Sequence, residues 1–385
     1  MPRNILTVSH LYPSPAFPGL GTFVRDEVVE LARRNNVVVV APIRGARGVP
    51  AVPRDADEDG VRIVRPRFPG IPVGGRIVEP RLWASRLRPL LHRLYDELDG
   101  DLVHAHFALP DGFAAAHFSS AEGVPLVLTV RGSDVFVLGR RRIARTDLRR
   151  TLDRTRALIA VSDELAEQVA RLGVPHERIH VIPGGVPYRA PEDRQEARRR
   201  LEVDEDAVCL LWVGRLVPVK QPLDAIRAFA ALVRASPRRN AVLALIGEGP
   251  LDAEVSETVR REGLDRRVRL LGYQSREEVW SWQCASDLLL NSSRSEGTPV
   301  AVLEALGAGT PVAAYPLPGV RAVLAAVDGG TTAPDSRPQA LAAAISTELD
   351  GAESRDRAAL AEEARKRFDI ARACREIEDV YESVL

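Results

Sequence analysis

The chain has 385 residues, 45% of them hydrophobic, enough for two domains that each bury a core of their own. Its 53 basic and 53 acidic side chains cancel, which excludes a general nucleic-acid binder. No apolar run reaches the roughly 18 residues that cross a bilayer. The opening MPRNILTVSHLYP has too short an apolar run for an export signal and reads as a first strand. Three dispersed cysteines, Cys209, Cys284 and Cys374, fit no metal spacing and suggest reduced, buried thiols in a cytoplasmic protein.

Short apolar runs at residues 5–8, 37–41, 102–104, 126–130, 158–161 and 179–182 predict buried strands. Amphipathic stretches at 22–34, 82–98, 112–121, 145–156 and 164–172 predict the helices between them. The acidic stretch DADED, Asp55 to Asp59, has no buried strand before it and reads as a surface loop. PGGVPYRAPEDRQ, 183–195, breaks the alternation with prolines, glycines and charges and predicts a linker. Strands then follow at 208–213, 241–246, 268–271, 288–291 and 311–314, with helices at 222–234, 251–262, 276–285 and 298–306. This pattern predicts an α/β chain of two doubly wound, Rossmann-like domains, 1–185 and 186–366, with parallel sheets and helices on both faces. A ligand is expected in a cleft at the carboxyl ends of the strands. The amphipathic tail 367–385 is expected to return to the first domain.

In SEGTPVAVLEALGAGTPV, 295–312, Glu296 lies just before a predicted helix and Glu304 about one turn inside it. Thr298 is the expected N-cap and Pro299 the expected first helical residue. A helix start attracts anions, yet two carboxylates would repel a phosphate in contact with them. The ligand should therefore give hydroxyls to the glutamates and phosphates to something else, as a sugar nucleotide does. Counter-charge stands in VGRLVPVKQP: Arg215 follows a strand end, and Lys220 precedes a proline-started helix. An arginine fork with a lysine point charge is a common way to neutralise a diphosphate. Lys220 is one of two lysines, with Lys366, among the 53 basic residues, which suggests that a compact ammonium is wanted there.

These motifs resemble those of the retaining GT-B glycosyltransferases, glycosyltransferase family 4 in particular. The resemblance runs through HLYPSPAFPGLGTFVRDEVVELARR, DLVHAHFALPDGFAAA, LTVRGSDVF, ALIAVSDELAEQV, IHVIPGGV, LLWVGRLVPVKQP, LIGEGP, LLGYQSREEV and the Glu-x7-Glu stretch, in that order. It implies that Arg215 and Lys220 bind the donor diphosphate, Glu296 the transferred sugar and Glu304 the ribose. The backbone from Gly297 through Thr298 and Pro299 to Val300 would face sugar and phosphate. Gly247, Gly249 and Tyr273 would border the nucleobase, and Gly19 and Gly21 would form a glycine loop near the diphosphate. Where the family often has His-Gly-x-x-Asp, this chain has Arg131-Gly132-Ser133-Asp134. Arginine cannot act as a base, so Arg131 is expected to stabilise charge, to bind an acidic acceptor, or to pair with Asp134 as a scaffold. Asp134 and His106 are acceptor-side candidates by the same resemblance, with a structural role for His106 equally open.

No pair of carboxylates is placed as nucleophile and acid. The resemblance implies front-face displacement, in which a donor phosphate oxygen takes the acceptor's proton. With Arg215 and Lys220 carrying the charge, neither metal nor cofactor is expected; the nucleotide-diphosphate sugar is a co-substrate. The acceptor class is a glycan, a lipid-linked molecule or a small molecule. The run Arg140 to Arg156 belongs to a stretch of eight arginines and two aspartates, which suits either a solvated face or peripheral contact with an anionic membrane. A GT-B sugar-nucleotide epimerase and a non-catalytic two-domain sugar-nucleotide binder are the alternatives.

Overall fold

A computed structural model describes residues 2–45, 52–69, 79–136, 142–236, 240–352 and 355–385. The chain forms two compact units: Met1–Pro187 with Ile370–Leu385, and Tyr188–Asp369.

In the first unit the elements run β1 (Asn4–Val8), α1 (Thr22–Ala32), β2 (Asn36–Val40), β3 (Ile43–Gly45), β4 (Asp55–Glu58), β5 (Val61–Val64), β6 (Arg67–Pro69), α2 (Glu79–Leu98) and β7 (Leu102–His106). They continue with α3 (Phe113–Glu122), β8 (Leu126–Val130), α4 (Ser133–Phe136), α5 (Arg142–Arg154), β9 (Ala157–Ala160), α6 (Asp163–Arg171) and β10 (Ile179–Val181). The main sheet has the order β10-β9-β8-β7-β1-β2-β5-β4, parallel except for the β4–β5 edge. Its central strands are buried along nearly their whole length because both faces are covered. Leu6, Val8 and Val40 pack on one side with Leu87, Leu91 and Phe118. Ile5, Val37 and Val39 pack on the other with Val24, Val28 and Leu31.

DADED is corrected from a loop to a strand. Asp55–Glu58 pairs antiparallel with Val61–Val64 at the sheet edge. Its carboxylates meet arginines of β5 and the residues just after it: Asp55 binds Arg62 at 2.9 Å, and Glu58 binds Arg65 at 2.7 Å. Cross-strand charge pairing makes a strand out of a segment with no apolar face.

The second unit contains α7 (Arg194–Arg200), β11 (Val208–Val213), α8 (Pro222–Ala235), β12 (Ala241–Ile246), α9 (Asp252–Arg261), β13 (Val268–Gly272), α10 (Arg276–Ala285) and β14 (Leu288–Asn291). After these come α11 (Val300–Gly307), β15 (Val312–Ala314), α12 (Pro318–Val327), β16 (Gly330–Thr332), α13 (Pro338–Asp350) and α14 (Arg357–Phe368). The parallel sheet is ordered β13-β12-β11-β14-β15-β16. Strand order therefore reverses direction between β11 and β14, the place where open α/β sheets bind ligands at their carboxyl edge.

The last helix, α15 (Ile370–Val384), belongs to the first unit. Its apolar stripe of Ile370, Cys374, Ile377, Tyr381 and Val384 joins the face that holds α1. Glu378 ties it down, receiving Asn35 Nδ2 at 2.7 Å and Arg34 at 3.0 Å. Two compact α/β units, each with a parallel sheet, are present as the alternation predicts. No described helix is long and apolar enough to cross a membrane.

Candidate active site

In the second unit, β11 delivers the loop Gly214–Gln221 and β14 the loop that starts at Ser292. One hydroxyl joins them. Ser292 Oγ donates to the carbonyls of Lys220 and Gln221, both at 2.9 Å, and accepts from the indole N–H of Trp212 at 3.0 Å. The Arg294 N–H adds a bond to the Val219 carbonyl at 2.9 Å. So braced, Lys220 Nζ reaches both carboxylate oxygens of Glu296, at 2.6 and 2.7 Å. The pair is accessible at one end, with Lys220 29% and Glu296 10% exposed in their side chains. Arg215 is exposed and makes no ion pair among the described residues.

Gly247 and Gly249 support the Arg215 loop. Gly214 N–H donates to the Ile246 carbonyl at 3.0 Å, and Leu216 N–H to the Glu248 carbonyl at 2.9 Å. This approach leaves no room for a Cβ: one on Gly247, at φ +137°, would stand 1.8 Å from the Gly214 oxygen. One on Gly249 would stand 2.5 Å from the Leu216 oxygen. Tyr273 is 53% exposed, and its backbone N–H donates to Glu248 Oε1 at 3.2 Å.

The helix holding Glu304 begins one residue later than the sequence predicts. Pro299 is the residue preceding α11, with ψ 69°, and Val300 is the first helical residue. Thr298 does not cap it: its Oγ1 is buried without a hydrogen-bond partner, and its carbonyl accepts from Val300 N–H at 2.9 Å. The turn from Gly297 into Pro299 closes on the backbone, which leaves no side-chain acceptor for the first helical N–H groups. Glu304 accepts from Gln283 Nε2 at 3.3 Å and lies 3.7 Å from Arg276. Beneath it, Tyr188 donates its hydroxyl to the Leu303 carbonyl at 3.0 Å. Burial, with Glu304 nearby, raises the Tyr188 pKa and keeps that phenol neutral.

In the first unit, Arg131 follows β8 and is 5% exposed. Its guanidinium pairs with Glu27 of α1 at 2.7 Å and donates to His106 Nδ1 at 3.0 Å. It also lies 5.1 Å from the Phe23 ring centroid. The scaffold pair with Asp134 does not form. Asp134 instead accepts backbone N–H groups of Ala108 at 2.7 Å, Gly132 at 2.9 Å and Arg131 at 3.2 Å. Burial raises the Asp134 pKa, and those N–H bonds oppose the shift.

His106 has no exposed surface. Since Nδ1 accepts from Arg131, the hydrogen-bond pattern assigns its proton to Nε2. Burial, His104 and Arg131 together hold its pKa well below the usual range. His104 is neutral for similar reasons, pushed down to about 3 by burial and by Arg131. It is held between the Tyr381 hydroxyl at 2.7 Å and Thr129 Oγ1 at 2.8 Å. Glu27, His104 and His106 bring three candidate metal-ligand atoms within 4.8 Å. Arg131 takes Glu27 Oε2 and His106 Nδ1 and sets its own positive charge beside the cluster, and both His104 nitrogens are engaged, so the cluster does not suit a metal ion, although Glu27 Oε1 and His106 Nε2 have no hydrogen-bond partner.

Gly21 stands at φ +74°, where a Cβ would lie 2.3 Å from the Leu11 carbonyl oxygen. Gly19 lies in an exposed turn before it. Arg140 and Arg141, the start of the basic run, lie outside the described residues. Beyond them, Arg145, Arg149, Arg150, Arg154 and Arg156 are exposed.

Residues 193–367 match the family described as Glycosyl transferases group 1, and residues 18–189 match Glycosyltransferase Family 4. TuaC of Bacillus subtilis (strain 168), a protein named for a glycosyltransferase of teichuronic acid biosynthesis, is 30% identical over 361 residues, covering 89% of this chain and 88% of its own. The chain belongs to glycosyltransferase family 4. It is also similar to the alpha-D-kanosaminyltransferase of Streptomyces kanamyceticus, 28% identical over 82% of both chains. Among solved structures, this glycosyltransferase resembles sucrose-phosphate synthase of Thermosynechococcus elongatus, with TM-score 0.80, 18% identity and 99% of each chain covered. It also resembles Anabaena Alr3699/HepE in complex with UDP, with TM-score 0.74, 20% identity, 99% of this chain and 100% of the other. These likenesses place the fold as GT-B.

The structure brings together Lys220, Glu296 and the Arg215 loop of the glycosyltransferase. Separately it gathers Arg131, His106 and Asp134. Sequence reasoning missed Glu27, an acid in an amphipathic helix pattern that nothing marks as Arg131's partner. It also missed His10 and Asp111. The buried Asp111 carboxylate bonds His10 Nδ1 and accepts the His10 backbone N–H at 2.8 Å. Burial raises the Asp111 pKa, opposed by His10. His10 follows β1 and Asp111 follows β7, two adjacent strands, so the sheet order alone would have paired them.

Proposed function

We propose that this glycosyltransferase moves a hexose-type sugar from a nucleotide-diphosphate donor to a hydroxyl acceptor with retention of configuration, by front-face displacement and without a metal. The observation that carries the reading is the Lys220–Glu296 pair beside the unpaired Arg215, held where the strand order of the second unit reverses. Arg215 and Lys220 supply positive charge for the leaving diphosphate, in positions fixed by the backbone before any ligand arrives. Glu296 accepts hydrogen bonds from sugar hydroxyls, and Glu304 from the ribose. Gly297 offers a backbone N–H group nearby, whereas that of Val300 is taken by the Thr298 carbonyl. Arg131, neutralised by Glu27, keeps His106 and the Asp134 turn in place on the acceptor side. The acceptor's proton goes to a donor phosphate oxygen as its oxygen bonds the anomeric carbon and the diphosphate leaves with the electron pair.

The test begins with thermal stabilisation by UDP-glucose, GDP-glucose and ADP-glucose. The best donor is then turned over with candidate acceptors and the product's anomeric configuration read by NMR. The expected product keeps the donor's configuration, and activity persists in EDTA. An inverted product, or activity lost in EDTA and restored by a divalent metal, overturns the corresponding part.

The exposed arginines of α5 extend the reading to a cytoplasmic enzyme that touches an anionic membrane from its inner face, in keeping with a lipid-linked acceptor. Flotation with phosphatidylglycerol vesicles at low salt checks this, and absence of binding removes the membrane contact.

A further inference from the structure

We infer that Glu296 is a specificity element that discriminates the intact sugar nucleotide from the free nucleoside diphosphate, by occupying Lys220 whenever no sugar is present. The inference rests on the donor reading above.

The geometry supplies the competition. Both oxygens of Glu296 lie on Lys220 Nζ, at 2.6 and 2.7 Å. The loops that carry the two residues are locked by Ser292 and Arg294, so the pair is set by the fold and does not depend on surface side chains finding each other. Among the described residues, Arg215 has no carboxylate of its own. An arriving diphosphate therefore meets one free cation and one that is already neutralised.

The two ligands differ in what they offer the displaced carboxylate. An intact sugar nucleotide brings hydroxyl donors that replace the ammonium as Glu296's partners. A free nucleoside diphosphate brings none, and its terminal phosphate has more negative charge than the esterified one. Glu296 then keeps Lys220, since turning away would leave it unpaired, and the phosphate contact is weakened. That disfavours the free diphosphate, so Glu296 selects against it as well as for the sugar. Once the sugar has left, the same competition favours release of the product.

The test is calorimetric titration of UDP, GDP and ADP at one fixed ionic strength into four full-length proteins: wild type, Glu296→Gln, Lys220→Ala and the double variant. Glutamine keeps the shape and removes the charge. The expected result is that Glu296→Gln binds the tightest of the three diphosphates about tenfold more strongly than wild type, the effect of one charge a few ångströms away at an intermediate effective dielectric. In the Lys220→Ala background the same change gives little or no gain, because the ammonium it would release is gone. An equal gain in both backgrounds shows direct repulsion of phosphate and overturns the Lys220 competition. No gain, or weaker binding, overturns the inference while the donor reading stands, provided that wild type binds and Lys220→Ala binds less well. If none of the three diphosphates binds any of the four proteins, the donor reading falls along with the inference.

Discussion

The two units each place a cation against a glutamate close to the carboxyl edge of a parallel sheet, with opposite consequences. Arg131 and Glu27 are 4% and 7% exposed in their side chains, in a cluster that also holds two neutral histidines. Lys220 and Glu296 are 29% and 10% exposed, so here the cation is open to solvent and to a ligand while the carboxylate is mostly covered. A buried pair is costly to break because one ion is left uncompensated. An accessible pair contributes little to stability, and its partners remain available to a ligand. The same chemistry thus serves as scaffold in one unit and as exchangeable contact in the other, and the difference is solvent access.

The largest expected effect breaks the scaffold. Glu27→Ala should lower unfolding stability by about 3–5 kcal/mol in urea titrations followed by circular dichroism, and Glu27→Met with Arg131→Met should recover most of that loss. A loss under about 1 kcal/mol from the single change would mean that Arg131 finds another partner or water. Next in size is Lys220→Ala, which should leave stability within about 1 kcal/mol. In the Glu296→Gln background, where the ammonium is free, it should weaken binding of the best diphosphate by roughly 30-fold or more, the scale of a charged hydrogen bond. If both variants lose mainly stability, the contrast between the two pairs fails.

Two smaller effects sharpen the buried side. Tyr381→Phe leaves His104 Nδ1 without its hydrogen-bond partner inside the core and should cost about 1–3 kcal/mol, measured by the same titration. The smallest concerns pH. His104 has a folded pKa of about 3, below its ordinary value of 6.5, so the unfolded chain binds the extra proton first. Its contribution is complete above about pH 6.5 and is lost as pH falls from there toward 3. The stability difference between wild type and His104→Gln should therefore shrink by about 1 kcal/mol between pH 7 and pH 5.5. A constant difference would place a charged His104 in the fold.

Much of the layered fold was legible where burial was two-sided. The runs 126–130, 208–213, 241–246 and 288–291 came out with the predicted bounds, as did helix 276–285, which starts at a reciprocal Ser275–Glu278 cap. β4 was not legible because its residues alternate between exposed and half-buried, and its stability comes from arginines of the neighbouring strand rather than from an apolar face. β16 is three half-buried residues with little signal of its own. The start of α11 was misread because a Thr-Pro pair matches a capping pattern, whereas the loop holding Glu296 forces Thr298 into a buried turn.

The sequence by itself determined the alternation of strand and helix, the two-unit layout, and the residue types set beside the reversal of strand order: an arginine, a lysine and two glutamates. These follow from local periodicity, turn chemistry and charge, all readable within short windows. Only the tertiary structure decided which acid meets which cation. Lys220 and Glu296 are 76 positions apart, and Glu27 and Arg131 are 104 apart. Contacts at such separations depend on the order in which strands lie side by side and on how much water the surrounding layers exclude. Neither quantity is contained in the pattern of any one segment.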